Sequence, residues 1–375
     1  MPVLNLGDNF MLGSSEVDSL MLGADSLWAR IPPFVGTQGY IYPFAGNGTS
    51  ALPSDGADAA TSPLQSPRGV AHDGDNTLYI SSDTLHRVFK VNISTGTITR
   101  IAGTGTGFDA GDGGDAGSAS LNAPWGLLYH DNYLYVASAY GHTVRRINLS
   151  TNIIDTFAGT GTGGYSGDTG QAATAQLHYP ANLSHADGWI YIGDSGNNRI
   201  RRVSLTTGLI ETVFGSGTAA SSGDGQPAVI ANVNSPNMAI VASDGKLYVT
   251  DTNGHKIRAM SFDNGIAITY AGIGTAGSGG DDSFADFAQL NRPMSLVDPD
   301  DGYLYICDSD KHKIRRISWA SGFIEAYAGT GTGTMSGDDG PATSAALQNP
   351  TGITAGGGFL WIADTANNRV RRVYM

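Results

Sequence analysis

Residues 156–211 read TFAGTGTGGYSGDTGQAATAQLHYPANLSHADGWIYIGDSGNNRIRRVSLTTGLIE and form one copy of a unit that recurs along the chain. The unit opens with a Gly-rich loop that ends at Pro180. Short segments rich in β-branched and aromatic residues follow, separated by Asp-Gly and Thr-Gly turns, and this pattern is typical of β-strands. The predicted strands cover about 181–185, 189–192, 199–203 and 210–214. We therefore expect each unit to be a four-stranded antiparallel sheet.

The motif Gly-x-Gly-Thr marks each copy of the unit, and the successive spacings are 57, 56, 56, 57 and 57 residues. Its first glycine stands at Gly46, Gly103, Gly159, Gly215, Gly272 and Gly329. Spacings that agree within one residue indicate a supersecondary module, repeated along the chain. Six four-stranded units in succession predict an all-β fold, a six-bladed β-propeller over residues 40–375.

The two ends of the repeat array predict how the ring closes. The sixth unit stops at Met375, after its third strand, and lacks a fourth. Residues 40–45 precede the first unit and match the end of a fourth strand, as in Phe157 and Ala158. We expect residues 40–45 to complete the last blade, which would remove a free sheet edge.

The composition agrees with an all-β chain and limits its partners. The sequence has 53 Gly, while only three of its 34 acidic residues are Glu and five of its 21 basic residues are Lys. Glu and Lys favour helices, whereas Asp and Gly favour turns. A formal charge of −13 disfavours nucleic acid and anionic membranes. No apolar run reaches about 18 residues and no basic segment opens the chain, so neither a membrane span nor a signal peptide is expected.

The strand pair that carries the repeat resembles the NHL repeat family. The resemblance is carried by Ile190–Asp194 with Asn198–Arg201, and by Leu360–Asp364 with Asn368–Arg371. It covers residues 40–375 and implies a six-bladed propeller. The family includes binding modules and a few enzymes, so the resemblance does not choose between these functions.

Three residue types recur at fixed places in the unit, and we interpret all three as structural. Asp or Ser ends the second strand and is expected to accept hydrogen bonds from the N–H groups of the turn that follows. An arginine in the third strand is expected to reach the acidic Gly-Asp loops or backbone carbonyl groups at blade junctions. A histidine or asparagine is expected to shape the turn between them. These residues are Asp194, Asp251, Asp308, Asp364, Ser82 and Ser138; Arg145, Arg201, Arg258, Arg315 and Arg371; His86, His142, His255, His312, Asn198 and Asn368.

One candidate chemical site lies on the predicted channel. Alignment of the first strands places His72, His185 and Asp298 at one position in alternate blades. Near the axis such residues can converge, and two His with one carboxylate could bind Zn²⁺ or Fe²⁺. Peptidyl-amidating lyases, a related class, use a metal on such an axis, but their catalytic residues have no match here. We therefore expect no metal, no cofactor and no catalytic residue.

Residues 1–39 form a separate arm with its own period of ten residues. Two apolar segments, each ending or beginning near a glycine, contain Leu12, Leu22 and Trp28. They predict a small β-hairpin or meander that is too small to bury a core alone. The pattern over residues 4–28 resembles the N-terminal segment of tailed-phage virion proteins. That resemblance implies docking of the arm on a virion, with assembly in the host cytoplasm; an ordinary extension packed on the ring is the alternative.

These observations lead to a functional hypothesis. The chain is interpreted as a non-enzymatic virion protein, tail-fibre-like, receptor-binding or capsid-decorating, whose propeller loops bind a host glycan or protein. The candidate binding residues are the aromatic side chains Trp125, Tyr140, Tyr165 and Tyr179. The arm would contact other virion proteins, and a homo-oligomer is compatible with this arrangement. Two alternatives stay open, namely an extracellular bacterial binding protein and a metal-dependent lyase or hydrolase with its site in the channel.

Overall fold

The computed structural model describes residues 36–375, together with two short strands in the arm, Met11–Leu12 and Ser15–Glu16. The chain divides into two compact units, Met1–Gly36 and Thr37–Met375. In the first unit the two strands pair antiparallel, with Met11 opposite Glu16. The second unit contains all the repeats, and its first residues precede the expected boundary at residue 40 by three.

The second unit is a six-bladed β-propeller, as the repeat predicts, and each blade is an antiparallel sheet of four principal strands. In chain order, the strands of blades 1 to 3 are Pro67–His72, Thr77–Ser82, Arg87–Asn92 and Ile98–Ala102; Pro124–His130, Tyr133–Ser138, Thr143–Asn148 and Ile153–Ala158; Pro180–Ala186, Trp189–Asp194, Arg199–Ser204 and Ile210–Phe214. Those of blades 4 to 6 are Ala239–Val241, Lys246–Asp251, Lys256–Ser261 and Ala267–Ala271; Pro293–Val297, Tyr303–Asp308, Lys313–Ser318 and Phe323–Ala328; Pro350–Gly356, Phe359–Asp364, Arg369–Tyr374 and Tyr40–Ala45.

Small elements complete the blades. Two-residue strands add a fifth, outermost strand to three sheets, at Gly114–Asp115, Ser283–Phe284 and Gly340–Pro341. Helical structure is confined, within residues 36–375, to single 3-10 turns at Ala172–Thr174, Ser195–Asn197, Ala285–Phe287, Ser309–Lys311, Ala342–Ser344 and Thr365–Asn367. No helix in the described part of the chain is long and apolar enough to cross a membrane.

The ring closes through the strand that precedes the first repeat, as expected. Tyr40–Ala45 pairs antiparallel with Arg369–Tyr374, and Ala45 lies opposite Val370. The closing strand brings Phe44 against Trp361, the largest fully buried side chain, with ring centroids 4.6 Å apart. The two ends of the ring therefore share one sheet and one hydrophobic cluster.

Glycines let the first strands approach closely around the axis. A Cβ atom at Gly69 would lie 2.3 Å from the carbonyl oxygen of Trp125 in the next blade, and one at Gly126 would lie 2.5 Å from that of Ala181. Real Cβ atoms do not approach this closely, so only glycine is compatible with this spacing. The central channel is narrow at this level because of these contacts.

The repeated histidines and asparagines join neighbouring blades. In each case a side-chain acceptor, histidine Nδ1 or asparagine Oδ1, takes a hydrogen bond of 2.9–3.3 Å from a backbone N–H in the next blade. The donor is always the residue before a proline, which opens the first strand in every blade except blade 4, and its φ lies between 45° and 55°. The pairs, acceptor first, are His86–Ala123, His142–Tyr179, Asn198–Ser235, His255–Arg292, His312–Asn349 and Asn368–Ser66. The structural interpretation of these histidines is thus confirmed.

A buried arginine joins two carboxylates in blades 3 to 6. The Arg201 guanidinium lies 2.6 Å from Asp168 in the Gly-rich loop and 3.5 Å from Asp194 at the end of the second strand. Equivalent pairs hold the other arginines, and all of them have an exposed fraction of zero. They are Arg258 with Asp224 and Asp251, Arg315 with Asp281 and Asp308, and Arg371 with Asp338 and Asp364. The predicted contact between the arginines and the acidic loops is confirmed.

The strand-end aspartates have a different backbone partner from the one expected. Oδ1 of Asp194 accepts a 2.7 Å hydrogen bond from the N–H of His178, in the loop before the first strand. The backbone N–H groups of the following turn, Ser195–Asn197, do not bond to this carboxylate, but the side-chain amide of Asn197 donates to Asp194 Oδ2 at 2.8 Å. The predicted turn contact is thus present through a side chain in blade 3, and in blade 1 through the backbone N–H of Leu85, which donates to Ser82 Oγ at 3.4 Å. Burial raises the pKa of Asp194 to about 6 and that of Asp308 to about 7.

Blades 1 and 2 depart from this arrangement in different ways. In blade 2 the strand-end residue is Ser138, and Asp109 from the loop accepts bonds from Ser138, Thr143 and the N–H of Asn122. Asp109 thereby takes the place of the missing strand-end carboxylate, with Arg145 3.9 Å away. In blade 1 the strand-end residue is Ser82 and the arginine is replaced by Phe89, so only the loop carboxylate, Asp55, remains of the charged group there.

Substitution of Arg201 by Ala should lower the free energy of unfolding by about 3–5 kcal/mol, because Asp194 would stay buried without its cation. Chemical denaturation followed by tryptophan fluorescence measures this change. The double variant R201F/D194S reproduces the residues of blade 1 and should be more stable than R201A. Equal stability of R201A and the unmodified protein would contradict the structural role.

Acid should weaken the blade junctions through the histidines. Burial lowers the pKa of His86, His142 and His312 below the usual 6.5 in the folded protein. The unfolded chain then binds more protons below about pH 6.5, so this part of the stability is present above pH 6.5 and lost as pH falls towards the folded-state pKa. The raised pKa values of the buried aspartates act in the opposite direction over the same range.

The triple variant H86N/H142N/H312N separates the two effects, because Asn already serves at Asn198 and Asn368. Between pH 7.5 and pH 5, the unmodified protein should lose more stability than the variant, by about 1 kcal/mol for each junction. Thermal unfolding at both pH values gives the comparison. A variant with the same pH dependence as the unmodified protein would show that the histidines do not act in this way.

Candidate functional site

Three of the four candidate aromatic residues form one cluster at an end of the channel. We call the face at which the first strands begin the entry face, and the face at which they end the exit face. On the entry face, the ring of Tyr140 lies 5.9 Å from Trp125 and 5.5 Å from Tyr179, edge to face in both cases. Tyr140 is 54% exposed and Tyr179 is 36% exposed. The cluster therefore presents aromatic surface to solvent beside the axis.

An ion-paired arginine flanks this aromatic cluster. The Arg68 guanidinium lies 3.8 Å from the ring centroid of Trp125, in a cation–π contact, and 3.3 Å from Asp83. Burial lowers the pKa of Arg68, and nearby Arg292 lowers it further, whereas Asp83 raises it. Arg292 is itself about half exposed and 3.6 Å from Asp310. Aromatic rings with flanking arginine donors are the residue types that dominate binding interfaces.

The fourth aromatic residue, Tyr165, lies elsewhere. Its hydroxyl donates to Asp168 at 2.7 Å, and its ring stacks on Arg199, with the guanidinium carbon 3.7 Å from the ring centroid. Asp168 also pairs with the buried Arg201. Tyr165 thus covers the outer charged contact of blade 3, and it has no ring contact with the entry-face cluster.

The candidate metal ligands line one cavity, at the exit end of the channel. This cavity has a volume of about 330 Å³ and receives residues from all six blades, including His72, His185 and Asp298. His72 Nδ1 accepts a hydrogen bond from the N–H of Gly74, and its Nε2 is buried without a partner. Asp298 accepts bonds of 2.8 Å from the N–H and the hydroxyl of Ser243 in the adjacent blade.

Within the described residues, no three His, Cys, Asp or Glu side chains lie close enough to hold a metal ion. His185 stacks instead on His130, with ring centroids 3.6 Å apart. Burial lowers the pKa of His185, and the adjacent His130 lowers it further. The three candidates share a cavity, but each one is directed to a neighbour in its own or an adjacent blade.

The structure describes only one of the three arm residues that the sequence singled out, and the site contains two residues that the sequence did not single out. Leu12 belongs to the strand Met11–Leu12, while Leu22 and Trp28 lie outside the described residues. Sequence reasoning did not single out Arg68 or His130. Arg68 is adjacent to the glycine that packs at the axis, and His130 follows the aligned position Tyr129 directly, so the first-strand alignment extended by a few residues could have found both.

Comparison with known proteins supports the repeat assignment. No protein-family model matches the chain. The chain is 28% identical over 328 residues to the chloroplastic protein SUPPRESSOR OF QUENCHING 1 of Arabidopsis thaliana, covering 84% of the chain and 31% of that protein. It is 25% identical over 343 residues to NHL repeat-containing protein 2 of Bos taurus, covering 83% and 46%. The chain thus spans less than half the length of either relative.

Solved structures show the same fold at low sequence identity. An auxiliary nutrient binding protein from Bacteroides ovatus superposes with a TM-score of 0.64 at 14% identity, over 90% of this chain and 76% of that chain. A streptogramin B lyase superposes with a TM-score of 0.52 at 15% identity, over 89% and 96%. These likenesses establish the fold alone. The repeat is thus similar to that of NHL repeat-containing protein 2, and the fold is a six-bladed propeller.

Proposed function

We propose that the propeller is a non-enzymatic binding module of a bacteriophage virion, which binds a host-surface glycan or protein at its entry face. The observation that carries the binding role is the cluster of Trp125, Tyr140 and Tyr179 beside the channel, flanked by Arg68. Tyr and Trp side chains combine a large apolar face with a polar group, which suits them to bind sugar rings or protein side chains.

The rigidity of this face also supports a binding role. Tyr179 is fixed by the left-handed backbone before Pro180 and by the hydrogen bond from its N–H to His142. Its ring also stacks on His178, with centroids 4.4 Å apart. Aromatic anchors held in place before binding lose little conformational entropy when a ligand arrives. The entry face therefore offers a preformed surface on a scaffold of paired strands.

The virion location rests on the sequence of the arm. The pattern over residues 4–28, with Leu12, Leu22 and Trp28, resembles the attachment segments of tailed-phage virion proteins. The arm and the ring are separate compact units, and the strand that closes the ring begins only at Tyr40. A division of labour in which the arm attaches and the propeller binds is consistent with this organisation.

Loss of aromatic surface on the entry face should weaken ligand binding. W125A and Y140A should each reduce the affinity for the best ligand from an array of bacterial surface glycans by about tenfold or more. Isothermal titration measures the affinity, and F287A serves as the control because Phe287 is 69% exposed and outside the cluster. Tyr140 is the cleaner test of the two, since its side chain is largely exposed. Unchanged binding by Y140A would contradict the assignment of this face.

Removal of residues 1–30 should leave the ring intact and prevent virion incorporation. The closing strand Tyr40–Ala45 is retained, so the thermal unfolding temperature of the propeller should stay the same. Immunoblots of purified particles measure incorporation. A control that lacks residues 1–45 also loses the closing strand and should unfold at a lower temperature. If the shorter truncation still enters particles, the virion role of the arm is wrong, whereas the binding role of the propeller is tested separately.

A further inference from the structure

Blade 1 has a cavity at the place where blades 3 to 6 hold their buried arginine. The cavity has a volume of about 640 Å³. It lies between the loop that leads into blade 1 and the loop that leads out of it, and Phe89 forms part of its lining. Its lining residues are Leu52, Pro53, Ser54, Asp55, Arg87, Phe89, Arg100, Thr104, Gly117 and Ser118.

Coordinated substitutions account for this cavity. Phe89 stands where the other five blades have an arginine, so Asp55, the loop carboxylate equivalent to Asp168, has no ion pair with that position and accepts a 2.7 Å hydrogen bond from the backbone N–H of Arg100. Ser54 stands where the other loops have a glycine with positive φ, such as Gly167. The loop into blade 1 has the same length as the others but lacks the charged contact that draws them against the sheet.

An additional arginine in the fourth strand changes the charge of the cavity. The position of Arg100 is occupied by Thr156, Thr212, Thr269, Ala326 and Pro43 in the other blades. Arg100 donates hydrogen bonds of 2.7 Å to the carbonyl oxygens of Gly103 and Gly117. Arg87 donates to the carbonyl oxygens of Leu85 and Thr104, at 3.1 and 2.7 Å.

The two guanidinium groups have no carboxylate partner. Neither Arg87 nor Arg100 forms an ion pair within residues 36–375, and Nε of Arg87 is buried without an acceptor. Burial lowers the pKa of Arg87 and the charge of Arg100 lowers it further, whereas Asp55 raises it. Two positive charges face one carboxylate, so the cavity is positive although the chain as a whole carries −13.

We propose that this cavity binds a sugar-sized ligand through an oxyanion, a carboxylate or a phosphate group held by Arg87 and Arg100. The volume lies within the usual range of small-molecule sites. Arginine donors match the geometry of carboxylate and phosphate oxygens. Leu52 and Pro53 supply apolar surface for the body of the ligand. This site is separate from the entry-face cluster and does not depend on the function proposed for it.

Three probes of equal ring size test the chemistry, namely glucuronate, glucose 6-phosphate and glucose. Binding is measured by chemical-shift titration and by isothermal titration at low and high salt. At least one anionic probe should bind, more tightly at low salt, and glucose should bind at least about tenfold more weakly. Glucuronate and glucose 6-phosphate together distinguish a carboxylate from a phosphate as the preferred group.

Variants taken from the other blades give matched controls. R100T installs the residue of blades 2 to 4 and should reduce anion affinity about tenfold or more without loss of the fold. R199T alters the blade 3 equivalent of Arg87, which also donates to carbonyl oxygens, and should leave anion affinity unchanged. F89R restores the arginine of the other blades, should pair with Asp55 and should abolish binding by filling the cavity.

Several results would overturn the proposal. The proposal is wrong if neither anionic probe binds to the unmodified protein. It is also wrong if glucose binds as tightly as the anionic probes. Anion binding that survives both R100T and F89R would place the ligand elsewhere. Thermal unfolding of every variant, compared with the unmodified protein, shows whether a lost signal reflects the cavity or the fold.

Discussion

The paired burial of arginine between two carboxylates is the constraint on which the blades depend. A guanidinium with no exposed surface would be strongly unfavourable unless compensated. Asp194 and Asp168 compensate Arg201 from the two sides, one at a strand end and the other in the loop. The contact therefore fixes the third strand, the second strand and the long Gly-rich loop relative to one another. Because the arrangement recurs, the same loop path is repeated around much of the ring.

This constraint also contributes to the negative charge of the protein, since each of these arginines is paired with two carboxylates. The acidic loop residues form ion pairs with buried arginines. Asp is more frequent than Glu because the short Asp side chain fits the tight loop. Blade 2 shows that the carboxylate matters more than its place in the sequence, since Asp109 replaces the missing strand-end aspartate from the loop side. Blade 1 shows the opposite solution, in which cation and strand-end anion are absent together and Phe89 fills the core.

Much of the fold could be predicted from the sequence because the repeat provides an internal comparison. The sequence repeat predicts three features, namely the strand positions of the third unit, the closing strand at residues 40–45 and the contact between Arg201 and its loop. Features peculiar to one blade could not be predicted in this way. Convergence of Trp125, Tyr140 and Tyr179 depends on how three different segments meet at the axis, whereas Tyr165 belongs to a segment that lies over an arginine.

The candidate site was harder to predict than the fold for the same reason. Alignment places His72, His185 and Asp298 around one cavity, but it does not give side-chain directions. Their directions are set by contacts between adjacent blades. His185 stacks on His130, and Asp298 accepts hydrogen bonds from Ser243. Arg100 is likewise invisible to a search for what the units share, since blade 1 alone has an arginine at that position.

The strand that closes the ring has a consequence for how the protein is made. Tyr40–Ala45 is synthesised early, but its partner Arg369–Tyr374 is synthesised after every other strand of the ring. At about 5–20 residues per second, roughly 330 intervening residues take on the order of 15–65 s. During that time the early strand has unpaired backbone groups and offers an edge to other chains. Completion of the last blade is thus a late step in formation of the ring, and the propeller is most prone to aggregation before it.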